Sequence, residues 1–430
     1  MLATHAVIIF SVRIFTNRVI IDSNPEPSLS IVIQATMAQS PPSKHNLILL
    51  ILLSGILTAC QVSSRTGRQE SEPTPEMATP PALQEEFLLL APLYYLQAGQ
   101  IWRLDSDAQT TQQVTHESAP IDAFDLSPID GSLAYISNNS LILNTADGGD
   151  RRVLRAGPAL TPIADEAARL NNAEHITAAL RSPHWSPDGR RIAFIENGVQ
   201  LYNLETLQAE QVWSQSAASS EPELFERVLS WSPDGQFLLV SQYAYPIESL
   251  GQRSLSLLQL GGPLYRDLSQ TTGLTHTWSP ELAYLFLANA QNGSDSSLMR
   301  CNPETAQCTL IAEYEPARWY YFYAHPFVTA DDRLLVFMGA SDDPSQPPEA
   351  FNLISLGLDG YDRSALHSDS YPIDAALWAP DGSGVIISLA QAAGDYPAGS
   401  VLWLGTDNQP ALPIPLLEVS NLRWGTAHQD

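Results

Sequence analysis

Trp185-Ser186-Pro187-Asp188-Gly189, followed by the apolar run Arg191-Ile192-Ala193-Phe194-Ile195, decides the fold because it returns. It recurs as Trp231-Ser232-Pro233-Asp234-Gly235 and as Trp378-Ala379-Pro380-Asp381-Gly382. Degraded copies stand at Ser127-Pro128-Ile129-Asp130-Gly131, Trp278-Ser279-Pro280-Glu281 and Thr329-Ala330-Asp331-Asp332. In each copy Pro presets φ at the second turn position, Asp tolerates the third, and Gly takes the positive φ that starts the next strand. After the second strand comes Glu196-Asn197-Gly198, a hairpin signal, then the alternating strand Val199 to Leu204. One copy therefore encodes three clear strands with room for a fourth.

Counted at the Pro position, the copies are 59, 46, 47, 50 and 50 residues apart. Four-stranded propeller blades run roughly 40–50 residues. A lone blade cannot cover both faces, so blades stack around an axis. The long first interval holds Ala164 to Leu170, a helix-prone insert within 164–180 that reads as a loop decoration. Leu93 to Leu104 matches second and third strands without a turn before it, and Val419 to Trp424 matches a first strand without a blade after it. Joining them makes one composite blade and leaves no free inner edge. The expected fold is all-β, a seven-bladed β-propeller over residues 89–430. Six blades is the alternative, should the Thr329 copy be misread.

The repeated turn with its Ile-Ala-Phe-type strand resembles the TolB-like propeller repeat, a relative of WD-type repeats that is also found in propeller domains of prolyl oligopeptidase-like enzymes. The resemblance covers roughly 91–424. It implies a propeller in an extracytoplasmic protein and says little about activity, because the matching residues belong to turns and core. TolB carries an extra N-terminal α/β domain and six blades, features this reading does not find here.

Met37, Lys44 and the apolar run Leu47–Ala59 read as a signal peptide, too short for a comfortable membrane span. Leu57-Thr58-Ala59-Cys60 resembles a bacterial lipobox, which implies cleavage before Cys60 and lipid attachment to its thiol. Residues 1–36 then read as a superfluous upstream segment. Residues 60–88, rich in Pro and charge, read as a disordered tether. The expected address is the periplasmic or extracellular face of a bacterial membrane, with a monomeric propeller anchored by its lipid.

The net charge of −26 argues against nucleic-acid and anionic-membrane partners. No Lys follows Lys44, which excludes Schiff-base and lysine-nucleophile chemistry in the folded part. Cys301 and Cys308 flank a turn-like stretch and read as a disulfide pinning an outer hairpin. No nucleophile elbow, His-Glu-x-x-His, phosphate loop or paired Cys-x-x-Cys occurs, so no catalytic residue, metal or cofactor is assigned. The acidic runs Asp105-Ser106-Asp107, Asp147 to Asp150 and Ser341-Asp342-Asp343 complete no EF-hand loop and read as solvated turns.

The repeat register allows equivalent positions to be compared. Four residues before each Trp position stand Asp122, Arg181, Arg227, Leu274, Ala324, Asp374 and Ser420, with His276 and His325 near the same level. Asp122, Arg181, Arg227, Asp374, His276 and His325 are the candidate channel-mouth binding residues, since propellers commonly bind ligands at the ends of inner strands. Their structural alternative is a set of salt bridges solvating the funnel. The aromatic run Arg318 to Tyr323 would put Trp319, Tyr321 and Tyr323 on one strand face, as core between blades or as a carbohydrate or peptide platform. The function expected is a protein-interaction or ligand-binding scaffold at the cell envelope. The alternative is a propeller enzyme acting on a glycan or small metabolite, with Asp122, Asp374 and His325 in acid–base roles.

Overall fold

In a computed structural model, the described residues are 10–15, 18–23, 87–161, 172–214, 223–244, 253–262, 265–269, 274–281, 284–289, 298–311 and 319–426. The chain divides into two compact units, Met1–Pro80 and Pro81–Asp430. In the first, β1 (Phe10–Phe15) and β2 (Arg18–Ser23) form an antiparallel hairpin with Phe10 opposite Ser23.

The second unit consists of seven four-stranded antiparallel sheets. Blade 1 is β6 (Ile121–Leu126), β7 (Leu133–Ser137), β8 (Ser140–Asn144) and β9 (Arg152–Ala156). Blade 2 is β10 (Arg181–Trp185), β11 (Arg191–Ile195), β12 (Gly198–Asn203) and β13 (Gln208–Ser214), preceded by the short helix α1 (Ala173–Ala178) inside the expected insert. Blade 3 is β14 (Glu223–Trp231), β15 (Phe237–Ala244), β16 (Arg253–Gln259) and β17 (Tyr265–Ser269). Blade 4 is β18 (Leu274–Trp278), β19 (Leu285–Asn289), β20 (Leu298–Cys301) and β21 (Cys308–Leu310). Blade 5 is β22 (Tyr320–Val328), β23 (Arg333–Ser341), β24 (Phe351–Gly357) and β25 (Ser364–Tyr371). Blade 6 is β26 (Ile373–Trp378), β27 (Gly384–Leu389), β28 (Ser400–Gly405) and β29 (Leu412–Leu417). Blade 7 is composite: β30 (Ser420–Trp424) pairs with β3 (Leu93–Gln97), followed by β4 (Gln100–Leu104) and β5 (Thr111–Gln113). Leu93 lies opposite Trp424, and Tyr94 opposite Arg423.

The core is not one mass but seven layers, one in each gap between neighbouring blades. Alternation along a second strand decides which layer each residue serves. Ile387 packs toward blade 5 with Phe322 and Phe337, while Ile386 packs toward blade 7 with Leu93 and Tyr95. Ala193 and Ile195 face blade 3, while Ile192 and Phe194 face blade 1. A strand buried on both faces must be apolar throughout, which is why β27 is buried along its whole length. The blade 7–blade 1 layer joins Tyr94 and Ile101 to Phe124 and Tyr135, so the ring is continuous through the composite blade.

The repeated turn has a buried hydroxyl at its centre. Ser186 Oγ donates to Asp188 Oδ1 at 2.5 Å and accepts the Arg191 N–H at 2.9 Å; Ser232 repeats this with Asp234 (2.6 Å) and Phe237 (2.8 Å). Thr329 does the same with Asp331 and Arg333, which makes the weak copy a genuine blade turn. Ala379 keeps only the backbone bonds. Gly189 (φ +66°) needs the left-handed region, and Ile129 of the preceding blade leans on it so closely that a Cβ there would meet Ile129 Cγ1 at 2.7 Å.

Cys301 and Cys308 lie opposite each other in the β20–β21 ladder, joined by a disulfide. The aromatic run is core between blades, on both faces of its strand. Tyr320 and Phe322 enter the layer toward blade 6, and Tyr321 and Tyr323 the layer toward blade 4. Trp319 precedes the strand and is half exposed.

Candidate functional site in the central bore

The first strand of each blade, β6, β10, β14, β18, β22, β26 and β30, stands innermost and faces the axis. Two kinds of side-chain bond tie these strands to their neighbours, one or both at every junction but that of blades 1 and 2. The Trp that opens a turn reaches back to the preceding blade: Trp231 Nε1 donates to His184 O (3.0 Å), Trp278 to Ser230 Oγ (3.0 Å), Trp378 to His325 O (2.8 Å) and Trp424 to Trp378 O (2.7 Å). The residue three before that Trp position reaches forward. Ser182 Oγ donates to Val228 O (2.8 Å), Asn421 Nδ2 donates to Phe124 O (3.1 Å), and Thr275 Oγ1 accepts the His325 N–H (2.6 Å). Ser182, His325 and Asn421 have positive φ, and the ladders of β10, β22 and β30 are irregular there. Such bulges re-aim a side chain that regular pleating would point elsewhere.

The densest polar cluster centres on Asp125, one residue before the turn of blade 1. Its Oδ2 accepts the Trp185 N–H (2.8 Å), its Oδ1 accepts Arg423 Nε (3.1 Å), and His184 Nδ1 lies 3.6 Å from Oδ2. Three consecutive blades, 7, 1 and 2, thus meet on one carboxylate. Burial alone would raise the Asp125 carboxyl; the contact with His184, the charges of His184 and Arg423, and the Trp185 N–H override it and hold the group below the ordinary carboxylate range. Here the Trp pattern is broken: Trp185 is buried and its Nε1 has no acceptor among the described residues.

His276 and His325 are partly exposed, yet protein surrounds them. That desolvation lowers both imidazoles to about 4, helped at His276 by the charge of His184. Both are neutral at pH 7, and His325 is held through its main chain by Thr275 on one side and Trp378 on the other. Asp122, Arg227 and Asp374 are exposed and Arg181 is half-buried, on blades 1, 3, 6 and 2. Sequence comparison at the fourth position before Trp missed Asp125, His184 and Arg423, which lie at the first position before it. The signal was available: those three positions hold charged or titratable residues in three adjacent blades.

Among the described residues no cluster of three His, Cys, Asp or Glu could hold a metal ion. The acidic runs serve their own turns, with Asp107 accepting from the Gln109 and Thr110 N–H groups, Asp147 from Gly149 and Asp343 from Ser345. A cleft of about 440 Å³ opens on blade 1, lined by Ser132, Asn144, Arg151 and Arg152, none of them in a first strand. Beside it Glu117 receives both Arg151 (2.6 and 3.0 Å) and the buried Tyr135 hydroxyl (2.7 Å). Cys60, the signal-like segment 37–59 and residues 61–86 lie outside the described residues. Among the described residues no helix is long and apolar enough to cross a membrane.

No family model matches the chain. A stretch of 68 residues is 38% identical to the Tol-Pal system protein TolB of Alcanivorax borkumensis, covering 14% of this chain and 14% of that protein. Among solved structures, TolB from Acinetobacter baumannii aligns over 76% of this chain and 79% of its own, with 14% identity and a TM-score of 0.39. Dipeptidyl peptidase 4 of Porphyromonas gingivalis aligns over 71% of this chain and 46% of its own, with 11% identity and a TM-score of 0.46. The chain is a seven-bladed β-propeller, one stretch of which is similar in sequence to TolB.

Proposed function

We propose that this protein is a binding scaffold at the bacterial cell envelope, tethered by a lipid on Cys60 and presenting its propeller to a protein or small-ligand partner. The observation that carries this reading is how the bore is used. Asp125, Ser182, Thr275, Asn421 and the tryptophan N–H groups are committed to holding one blade against the next. A ring fastened this way is a rigid platform, suited to presenting its broad end faces. The local likeness to a Tol-Pal system protein supports an envelope setting, as does the signal-like segment ending in Cys60. At the channel mouth, Asp122, Arg181, Arg227 and Asp374 are the residues through which a ligand would be read.

The test is a crosslinking capture from intact envelopes with the mature protein as bait, beside a Cys60→Ser form. Recovery of one defined partner, and release of the Cys60→Ser form from the membrane fraction, are the expected results. Recovery of only miscellaneous basic proteins would refute the scaffold reading. A Cys60→Ser form that stays membrane-bound would refute the anchor.

A further inference from the structure

In an antiparallel four-stranded blade, the turns joining first to second and third to fourth strands emerge on one end of the disc. This turn face breaks two local rules, one in the turn of blade 1 and one in blade 2. The blade 1 turn reads Ser127-Pro128-Ile129-Asp130-Gly131, with an isoleucine inserted where the other copies go straight to a carboxylate or alanine-aspartate. Ile129 lies over Gly189 of blade 2 and is 66% exposed. In blade 2, the turn between β12 and β13 places Leu207 at φ +56°, and its side chain is 61% exposed. Other blades put Ala108, Gly261, Ala306, Gly360 or Asn408 at positive φ in that turn. A leucine pays for this conformation and gains no burial in return.

We propose that the turn face at blades 1 and 2 is a docking surface for a basic protein segment with apolar anchors. Ile129 and Leu207 are its central contacts. The charge of the face selects the occupant: its described turns carry sixteen carboxylates and three arginines, Arg151, Arg190 and Arg363. Such a field repels an anionic lipid surface and attracts a cationic partner. Strain tolerated at an exposed apolar residue fits a site selected for contact rather than for stability. This names the face and the partner chemistry of the scaffold proposed above and rests on that reading.

The probe is a helical peptide of alternating Leu and Arg faces, about 18 residues long, read by fluorescence anisotropy, with a Leu/Glu peptide of equal length as control. The Leu/Arg peptide is expected to bind and the control not to. Ile129→Ser and Leu207→Asn should each weaken binding roughly tenfold. Leu207→Asn should also raise the Tm of the free protein, since Asn tolerates positive φ, so lost binding cannot be blamed on unfolding. Trp319→Ser, on the opposite end, should change nothing. Equal binding by the three variants, or by both peptides, overturns the proposal. So does loss of zwitterionic-vesicle binding in the Leu207→Asn form, which assigns the face to lipid, or loss of a concentration-dependent dimer, which assigns it to a second copy. If envelope capture succeeds while these variants bind normally, the scaffold stands and only this face is wrong.

Discussion

Replacing Asp125 by Ala tests whether one carboxylate clasps three blades. The substitution removes the acceptor of the Trp185 N–H at 2.8 Å and of Arg423 Nε at 3.1 Å, and leaves Arg423 without its counter-charge. Breaking a buried pair by removing one partner costs about 3–5 kcal/mol, and an orphaned buried N–H about 1–3 kcal/mol. The Arg423 side chain keeps 31% of its exposure and recovers part of its hydration, so the expected net loss is about 3 kcal/mol. Asp125→Asn retains an acceptor and should cost about half of that. Urea unfolding of the mature protein at pH 7 measures both, and a cycle with Arg423→Met isolates the pair. The carboxyl is held below its unfolded-state value, so its contribution is full above that value and is lost as pH falls through the lowered one. The Asp125→Ala penalty should therefore shrink in strong acid. A penalty below about 0.5 kcal/mol at neutral pH, or one equal for Asn and Ala, would refute the clasp.

His276 and His325 are held neutral in the fold, lowered from 6.5 to about 4, so the unfolded chain binds more protons between those values. Stability should be full above pH 6.5 and decline progressively toward pH 4, and His276→Gln should flatten that slope in a Tm-against-pH series; an unchanged slope contradicts the assignment. Ser186→Ala should cost about 1–2 kcal/mol in thermal unfolding by orphaning the Arg191 N–H, while Ala379→Ser should gain a few tenths to about 1 kcal/mol by restoring the missing hydroxyl. Ending the chain after Val419 removes β30 and uncovers Leu93 and Tyr95; hydrogen exchange should then lose protection in β3 and β4 first, and uniform protection would argue against the composite blade.

Blade number and closure were legible because both rest on local chemistry that repeats. A Ser-Pro-Asp-Gly turn needs its hydroxyl, its fixed φ and its glycine wherever it stands. Thr329 was readable as a copy because threonine carries the same oxygen. Val419 to Trp424 and Leu93 to Leu104 were complementary fragments of one grammar. The bore was less legible. Counting back from Trp assumes regular pleating, and the first strands of blades 1 and 6 are irregular at Asp122 and Asp374 themselves, as those of blades 2, 5 and 7 are near Ser182, His325 and Asn421. Asp122 and Asp374 therefore came to stand exposed, while Asp125, three residues further on, took the buried junction. The aromatic run was legible as core between blades, with Tyr321 and Tyr323 sharing one face; Tyr320 and Phe322 fill the other because a blade has neighbours on both.

The composite blade has a consequence for how the molecule comes into being. Its inner strand, Ser420–Trp424, is the last of the propeller's described strands to be synthesised, while its mate at Leu93–Gln97 is the first of them. Until those final residues arrive, a nascent chain holds six complete sheets and an unpaired remnant but no circle. The ring can therefore stay open, and within reach of chaperones, until β30 has emerged.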